Sequence, residues 1–318
     1  MLDVQDLHVH YQTPSGNVHA VNGVSFSLGR QEVLGLVGES GSGKSTIALA
    51  LLRLIKSPGK IERGVVRLNG RDLLSLTSDE MRYVRLGEMA MVAQGAMNSL
   101  NPVMRVRDQI LDAWRDHELT PPRSEIDDRL ADLMRRVGLR PDDARRYPHE
   151  LSGGMKQRVV IAIAISLQPT VIIADEPTSA LDVVVQRQIM DTLKQVQSEI
   201  GASVILIGHD MGLMAQSVDR LGVMYAGELV ELSPVRDVFK DPLHPYTRLL
   251  IASLPSLDQK GGMRGIPGMP PSLLARPTGC PFRPRCPSAI PVCATDAPQF
   301  ALKRPHRMVA CHVVVEQP

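Results

Sequence analysis

The sequence predicts an α/β fold with a parallel-sheet core, and three observations carry that prediction. The run Gly38-Glu39-Ser40-Gly41-Ser42-Gly43-Lys44-Ser45-Thr46 has the G-x-x-x-x-G-K-S spacing of a phosphate-binding loop. It follows the apolar stretch 33–37 and precedes a helical pattern over 46–55, the strand–loop–helix setting such a loop requires. Further on, short apolar runs at 171–174 and 204–208 alternate with helical patterns over 156–167 and 183–200. Continuous β-branched strands between helices indicate a parallel sheet covered on both faces. At 318 residues the chain accommodates one large α/β domain and a smaller appendage.

Taken in order, residues 2–36 read as β-rich. Apolar residues alternate at Leu7 and Val9 and again at Val24, Phe26 and Leu28, with turns expected at Pro14-Ser15-Gly16 and Asn22-Gly23. Residues 65–68 followed by Asn69-Gly70 predict another strand and a tight turn. These segments make an antiparallel β subdomain. Over 103–147 the texture changes: Leu111, Ile126, Leu130, Leu133, Met134 and Val137 recur at helical spacing, interrupted by Thr120-Pro121-Pro122. A helical subdomain, about 96–168, is therefore inserted after the phosphate loop. From Phe239 the chain changes again. Fourteen of the 24 prolines and all four cysteines lie beyond position 241. Proline at that density excludes long helices and central strands. The expected division is a 1–240 domain and a separate, loop-rich extension over 241–318.

Composition narrows the function. The formal net charge is +2 with 22% charged residues, which gives no reason to expect nucleic acid as a partner. Aromatics make up only 3%, so the core must rest on aliphatic residues and Met. The longest apolar run, near 159–167, is far short of the roughly 20 residues needed to span a bilayer. The N-terminus carries Asp3 and no long apolar stretch, so it does not read as a secretory signal. The expectation is a cytoplasmic chain whose cysteines are reduced thiols or metal ligands, and whose membrane role, if any, comes through partners.

In a phosphate loop, glycines let the backbone curl so that successive N–H groups face the phosphate oxygens, and the following helix adds its positive N-terminal end. Lys44 is expected to reach the β- and γ-phosphates, and the Ser45 hydroxyl to ligate Mg²⁺. A second stretch, Leu151-Ser152-Gly153-Gly154-Met155-Lys156-Gln157, is far more restrictive. With the loop before it, it resembles the ATP-binding-cassette family.

That resemblance implies an ATPase built from two cassettes. Residues 171–176 are similar to the family's Walker B element, with Asp175 in the Mg²⁺ shell and Glu176 orienting or deprotonating the attacking water. Gln94 resembles the Q-loop glutamine that touches metal and water. Ser179-Ala180-Leu181-Asp182 resembles the D-loop, and His209 the switch histidine bonded to the γ-phosphate. Tyr11 has the flat face for an adenine, although a strand tyrosine also packs without any ligand. Ser152, Gly153 and Gly154 would face the nucleotide held by a second subunit. Ser152 stands 108 positions after Lys44, room for one compact helical subdomain and no long coiled coil.

The subfamily is also legible. Asn98-Ser99-Leu100-Asn101-Pro102, Tyr147-Pro148-His149-Glu150, His244-Pro245-Tyr246-Thr247 and Gly279-Cys280-Pro281-Phe282-Arg283-Pro284-Arg285-Cys286-Pro287 resemble the ATPase subunits of oligopeptide/dipeptide importers. The implied partners are a second cassette, identical or paralogous, two transmembrane permease subunits and, indirectly, an extracytoplasmic substrate-binding protein. The implied place is the cytoplasmic face of the inner membrane. Relatives of this architecture move nickel, glutathione or sugars, and soluble ABC ATPases serve DNA repair or translation, although a single cassette with balanced charge fits the latter poorly. The family's extension implies a [4Fe–4S] cluster on Cys280, Cys286, Cys293 and Cys311. Four thiolates also suit tetrahedral zinc, and the absence of C-x-x-C mildly disfavours a common zinc ribbon. The chain departs from the family at Gly95-Ala96, where Asp-Pro is common, and at Gly208, where Thr is common.

Overall fold

The computed structural model describes residues 1–179, 181–254 and 265–316. Its strands are β1 (Leu2–Thr13), β2 (Gly16–Leu28), β3 (Val33–Val37), β4 (Gly59–Leu68), β5 (Arg71–Asp72), β6 (Met89–Val92), β7 (Val171–Asp175), β8 (Ser203–Ile207), β9 (Arg220–Tyr225), β10 (Glu228–Pro234), β11 (Ala301–Arg304) and β12 (Arg307–Val309). The helices are α1 (Lys44–Leu51), α2 (Ser78–Gly87), α3 (Val106–Asp116), α4 (Arg123–Arg136), α5 (Gly153–Ile165), α6 (Val183–Ile200), α7 (Met211–Ser217), α8 (Val235–Lys240) and α9 (Pro245–Ala252). Two units gather them. One comprises Met1–Leu28, Val33–Ser75 and Ile207–Pro318, the other Gly29–Glu32 and Leu76–Leu206.

In the first unit an antiparallel sheet runs β2-β1-β4-β5. Alternation buries Leu2, Val4, Leu7 and Val9 on β1 and Val21, Val24 and Leu28 on β2, each at most 1% exposed. The turn at Asn69-Gly70 forms as the sequence predicts, joining Leu68 to Arg71. The turn expected at Asn22-Gly23 does not form, and β2 runs unbroken through it. The reason is local: the Asn22 amide donates to Gly227 O at 2.8 Å and its side chain to Glu228 at 2.7 Å. Those bonds hold the pair in line, and an irregular register with β1 absorbs the twist. Helix α1 ends at Leu51, four residues short of the pattern read over 46–55.

The same unit holds the strand order β11-β12-β10-β9-β3, with β3 and β9 parallel. The extension beyond 240 therefore does not stand apart: β12 pairs with β10 through Glu231↔Val309 and Leu232↔Met308. A buried carboxylate fixes the junction. Glu231 is 0% exposed and accepts from the backbone amides of Leu243 (3.0 Å) and His244 (2.9 Å), with Arg307 at 3.6 Å. A buried charge is tolerable only with such partners. Above it, Tyr225, Tyr246 and Phe282 form a cluster with ring centroids 4.7–5.4 Å apart. Few aromatics exist in this chain, and three of them meet here.

His244 caps α9, its Nδ1 accepting from the Tyr246 amide at 3.0 Å, while the ring also bonds the Ala310 backbone. Burial pushes this imidazole down to about 3, with Arg248 adding to the effect. The folded protein thus needs it neutral, whereas the unfolded chain protonates it near 6.5. Its contribution is complete above that value and is lost as the pH falls from 6.5 toward 3. Urea unfolding should show about 2 kcal/mol less stability at pH 5 than at pH 7 from this group. His244→Asn keeps a capping acceptor and removes the titration, so its stability should vary less with pH over that interval.

The second unit contains the strand order β8-β7-β6, with β6 and β7 parallel. All five residues of β7 and of β8 are buried. Here the inserted helices also form as the spacing predicts. Val106, Ile110, Leu111 and Trp114 make the inner face of α3, and Leu130, Leu133 and Met134 that of α4. Thr120-Pro121-Pro122 separates the two helices, since Pro122 precedes the first residue of α4. No helix among the described residues is long and apolar enough to cross a membrane.

Candidate nucleotide site

β3 is buried to its end, with Leu34, Leu36 and Val37 at most 1% exposed, and it delivers the chain to the phosphate loop at a fixed point. The loop then turns through Gly38 (φ 150°) and Gly43 (φ 100°), in the region that L side chains avoid. Space forbids a side chain as firmly as the dihedral does. A Cβ would lie 2.2 Å from Met224 O at Gly38, and 2.2 Å from Ala20 O at Gly43. Lys44 is 7% exposed, and its Nζ donates to the carbonyls of Gly38 (2.8 Å) and Glu39 (3.0 Å) and to Ser42 Oγ (3.3 Å). The ammonium is thereby folded back across the loop.

Lys44, Ser45 and Thr46 open α1, whose first turn has no acidic residue and no side-chain cap. Its leading N–H groups keep their positive end directed at the loop, which suits an anion. Ser40 and Gly41 are exposed at the mouth of the loop, and Ser42 is buried beneath them. His209, in the same unit, is exposed just past β8, with Asp210 capping α7 behind it through Leu213 N. Tyr11 stands opposite Gly59 across β1 and β4, half-buried; a Cβ on Gly59 would approach its ring to 2.5 Å. The ring therefore needs that glycine for its place on the sheet.

The second unit holds the carboxylates. Asp175 ends β7 at 2% exposure. Glu176 follows with φ 46°, a left-handed backbone costing a non-glycine residue of order 1 kcal/mol, and such outliers gather at functional sites. Gln94 Nε2 donates to Glu176 Oε2 at 2.9 Å, so two residues 82 apart in sequence meet. Ser152 caps α5 by accepting from Met155 N at 3.3 Å, and Gly153 is exposed beside it. Gly154 is small for a packing reason, since a Cβ would lie 2.8 Å from Val185 Cγ1. The first turn of α5 also lacks an acidic residue. Asp182 caps α6, accepting from Val184 N (3.1 Å) and Val185 N (3.0 Å). Of the four-residue segment Ser179-Ala180-Leu181-Asp182, Ala180 lies outside the described residues.

All four cysteines are free thiols in the first unit. The Cys280 amide donates to Cys293 O at 3.0 Å, joining the two loops that carry them. Burial raises the Cys280 thiol to about 11 and raises Cys286 and Cys311 as well, and each is raised further by neighbouring cysteines. The four side chains therefore share one region, and a cation held there would have to displace protons. They do not converge to ligand distances: among the described residues no group of three or more His, Cys, Asp or Glu is placed to hold a metal ion. The donor set fits a four-thiolate site in chemistry and falls short of one in arrangement.

With this geometry in place, comparison with known proteins defines the class. The ABC transporter family matches residues 21–179. A dimeric structure of the ATP-binding cassette MJ0796, in a post-hydrolysis state bound to ADP and Pi, superposes with a TM-score of 0.66 at 27% identity, covering 74% of this chain and 99% of that one. The chain belongs to the ABC transporter family, and it is an ATP-binding, ATP-hydrolysing cassette. Its branch follows from the remaining length. Residues 230–293 match the oligopeptide/dipeptide transporter C-terminal region. The oligopeptide transport ATP-binding protein OppD of Salmonella typhimurium is 44% identical over 320 residues, covering 100% of this chain and 95% of that protein. The dipeptide transport ATP-binding protein DppD of Haemophilus influenzae is 42% identical, covering 100% and 96%.

Sequence reasoning missed two residues beside the loop. Glu39 occupies a position where the loop pattern accepts any residue, and Arg285 lies in a motif read for its cysteines. They form a two-pronged ion pair, Nη1–Oε2 and Nη2–Oε1 both at 2.9 Å. The only signal in the sequence was one unmatched acid in a glycine-rich loop.

Proposed function

We propose that this chain is the ATP-hydrolysing subunit of a membrane importer of oligopeptides or dipeptides. In this reading two cassettes, identical or paralogous, close on two ATP molecules and drive two permease subunits fed by an extracytoplasmic binding protein. The chain sits peripherally at the cytoplasmic face of the membrane. The observation that carries the reading is the end-to-end 44% match to OppD, extension included. In function the chain divides into an ATP-binding domain, 1–240, and an importer-type extension, 241–318.

The site roles are those the family resemblance implies, and local chemistry supports them. Gly38, Ser40, Gly41, Ser42, Gly43, Lys44 and Thr46 cradle the phosphates, and Tyr11 stacks on the adenine. Ser45, Asp175 and Gln94 hold Mg²⁺, which supplies charge neutralisation on the phosphates. Glu176 takes the proton of the attacking water, and Gln94, bonded to it, sets its direction. His209 bonds the γ-phosphate. Ser152, Gly153, Gly154 and Asp182 serve the neighbouring subunit's nucleotide; the exposed, acid-free start of α5 supports this, since a helix N-terminus stabilises an anion. Reconstitution with its membrane subunits in liposomes tests the reading. ATP-dependent uptake of a labelled peptide is expected, and ATP hydrolysis that never moves peptide would exclude it.

Cys280, Cys286, Cys293 and Cys311 hold a [4Fe–4S] cluster in this proposal, with zinc the alternative. Pro281 and Pro284 between the first two ligands, and Pro287 directly after the second, stiffen the loop and lower the entropy cost of closing it. Anaerobic purification should yield brown protein with iron and sulfide in equal amounts. Colourless protein loaded with zinc would replace the cluster by the alternative.

A further inference from the structure

We propose that Arg285, in the C-terminal extension, is a positioning residue of the ATP site, acting through Glu39 on the phosphate loop and on Lys44. Glu39 is held at three points. Its carboxylate takes both guanidinium nitrogens of Arg285 at 2.9 Å, its amide donates to Tyr246 Oη at 3.0 Å, and its carbonyl accepts from Lys44 Nζ at 3.0 Å. Two of those three holds come from the extension, and the third is the residue expected on the phosphates.

Arg285 is built into the site with every nitrogen engaged. Its side chain is 4% exposed, against 24% for Glu39. Nε donates to Pro267 O at 2.8 Å, Nη2 to Ile266 O at 3.3 Å, and Nη1 to Tyr225 Oη at 3.3 Å, in addition to the carboxylate. The Glu39 carboxylate keeps the guanidinium firmly charged. Tyr225 flanks the guanidinium, 5.7 Å from ring centroid to Cζ, and its ring in turn meets Phe282 edge-to-face at 5.2 Å. A planar, two-pronged pair of this kind fixes direction as well as distance, and lysine cannot reproduce it. Exposed ion pairs contribute little, but this one is mostly shielded from water, so its geometric hold persists in salt.

The consequence is specific to phosphate. Gly38 and Gly43 leave the loop backbone free to take several shapes, and Glu39 lies between them. Pinning Glu39 selects one shape and sets how far Lys44 reaches. Losing the pin should weaken ligands that carry a β-phosphate and spare those that do not. It should also act on binding more than on the chemical step, because in this reading proton transfer falls to Glu176 and not to Lys44.

The inference rests on the ATP-site reading, and ADP binding by the parent chain tests that reading separately. The full-length protein would be compared with Arg285→Gln, Arg285→Lys, Glu39→Gln and the double variant, by calorimetric titration with ADP, ATP and adenosine and by ATPase kinetics. Folded fraction would be followed by thermal unfolding. The isosteric Glu39→Gln at a partly exposed position guards against simple loss of fold. Expected are five- to twentyfold weaker ADP and ATP binding in each single variant, KM raised with kcat within threefold, and adenosine binding unchanged. Arg285→Lys should fall between the parent and Arg285→Gln, and the double variant should be no worse than the weaker single. ADP and ATP binding within twofold of the parent in folded Arg285→Gln would overturn the proposal. Equal weakening of adenosine and ADP, or a double variant additive in its two parts, would do the same.

Discussion

Glu176→Gln should bind ATP as tightly as the parent chain and hydrolyse it roughly 10²- to 10⁴-fold more slowly, the range a positioned base commonly contributes. The substitution preserves shape. It keeps an oxygen that can accept from Gln94 Nε2, now at 2.9 Å from Oε2, and removes only the capacity to take a proton. The strained backbone at this position, φ 46°, is set by the turn after β7 and should not relax when the side chain changes. Glu176→Asp provides the contrast: it keeps the charge but withdraws it by one methylene, so the contact with Gln94 is lost. Single-turnover hydrolysis and fluorescent-nucleotide binding measure the two quantities separately. Turnover by Glu176→Gln within threefold of the parent would remove Glu176 from the role of base.

Gly43→Ala should lose more than a hundredfold in ATP affinity, while Gly41→Ala should lose only about fivefold. Both positions have positive φ, 100° and 76°, so both replacements carry a conformational cost of about 1 kcal/mol. They differ in surroundings. A Cβ on Gly41 meets nothing within 4 Å, whereas one on Gly43 lies 2.2 Å from the backbone oxygen of Ala20. A backbone atom in a paired strand cannot rotate away as a side chain can, so the loop itself must move. Isothermal titration with ADP and ATP, alongside thermal unfolding, reads the difference. Similar losses at the two positions would mean that the loop accommodates the clash, and that shape contributes less than charge to phosphate binding.

The core of the fold was legible because its signals are local and repeated. The strands 33–37 and 171–174 announce themselves as unbroken apolar runs, and α6 starts and ends where its periodicity does, capped by Asp182. The motif residues could be named through their resemblance to the family, whereas the contact of Gln94 with Glu176 was visible only in the structure. What the sequence hid depends on distant partners. Asn22-Gly23 has the composition of a turn, yet its bonds to Gly227 and Glu228 keep it within a strand. His244-Pro245-Tyr246-Thr247 could be read as a family mark but not for its physical work, which is to cap α9 and to hold the Glu39 amide from 207 residues away. The four cysteines were visible as a ligand set, and their spacing carries no information about how near the sulfurs approach.

The two short strands near the C-terminus have a practical consequence for anyone trimming this chain. Residues 301–309 lie along the outer margin of β10, and Ala310 adds a bond to Val230 at 2.9 Å. The outermost strand that results is only four residues long and carries Lys303 and Arg304, features that discourage stray pairing between molecules. A version stopped at Lys240 would uncover the edge of β10 at Val230, Glu231 and Leu232 and strip the buried Glu231 of Leu243, His244 and Arg307, so it should misfold or self-associate instead of behaving as a minimal ATPase.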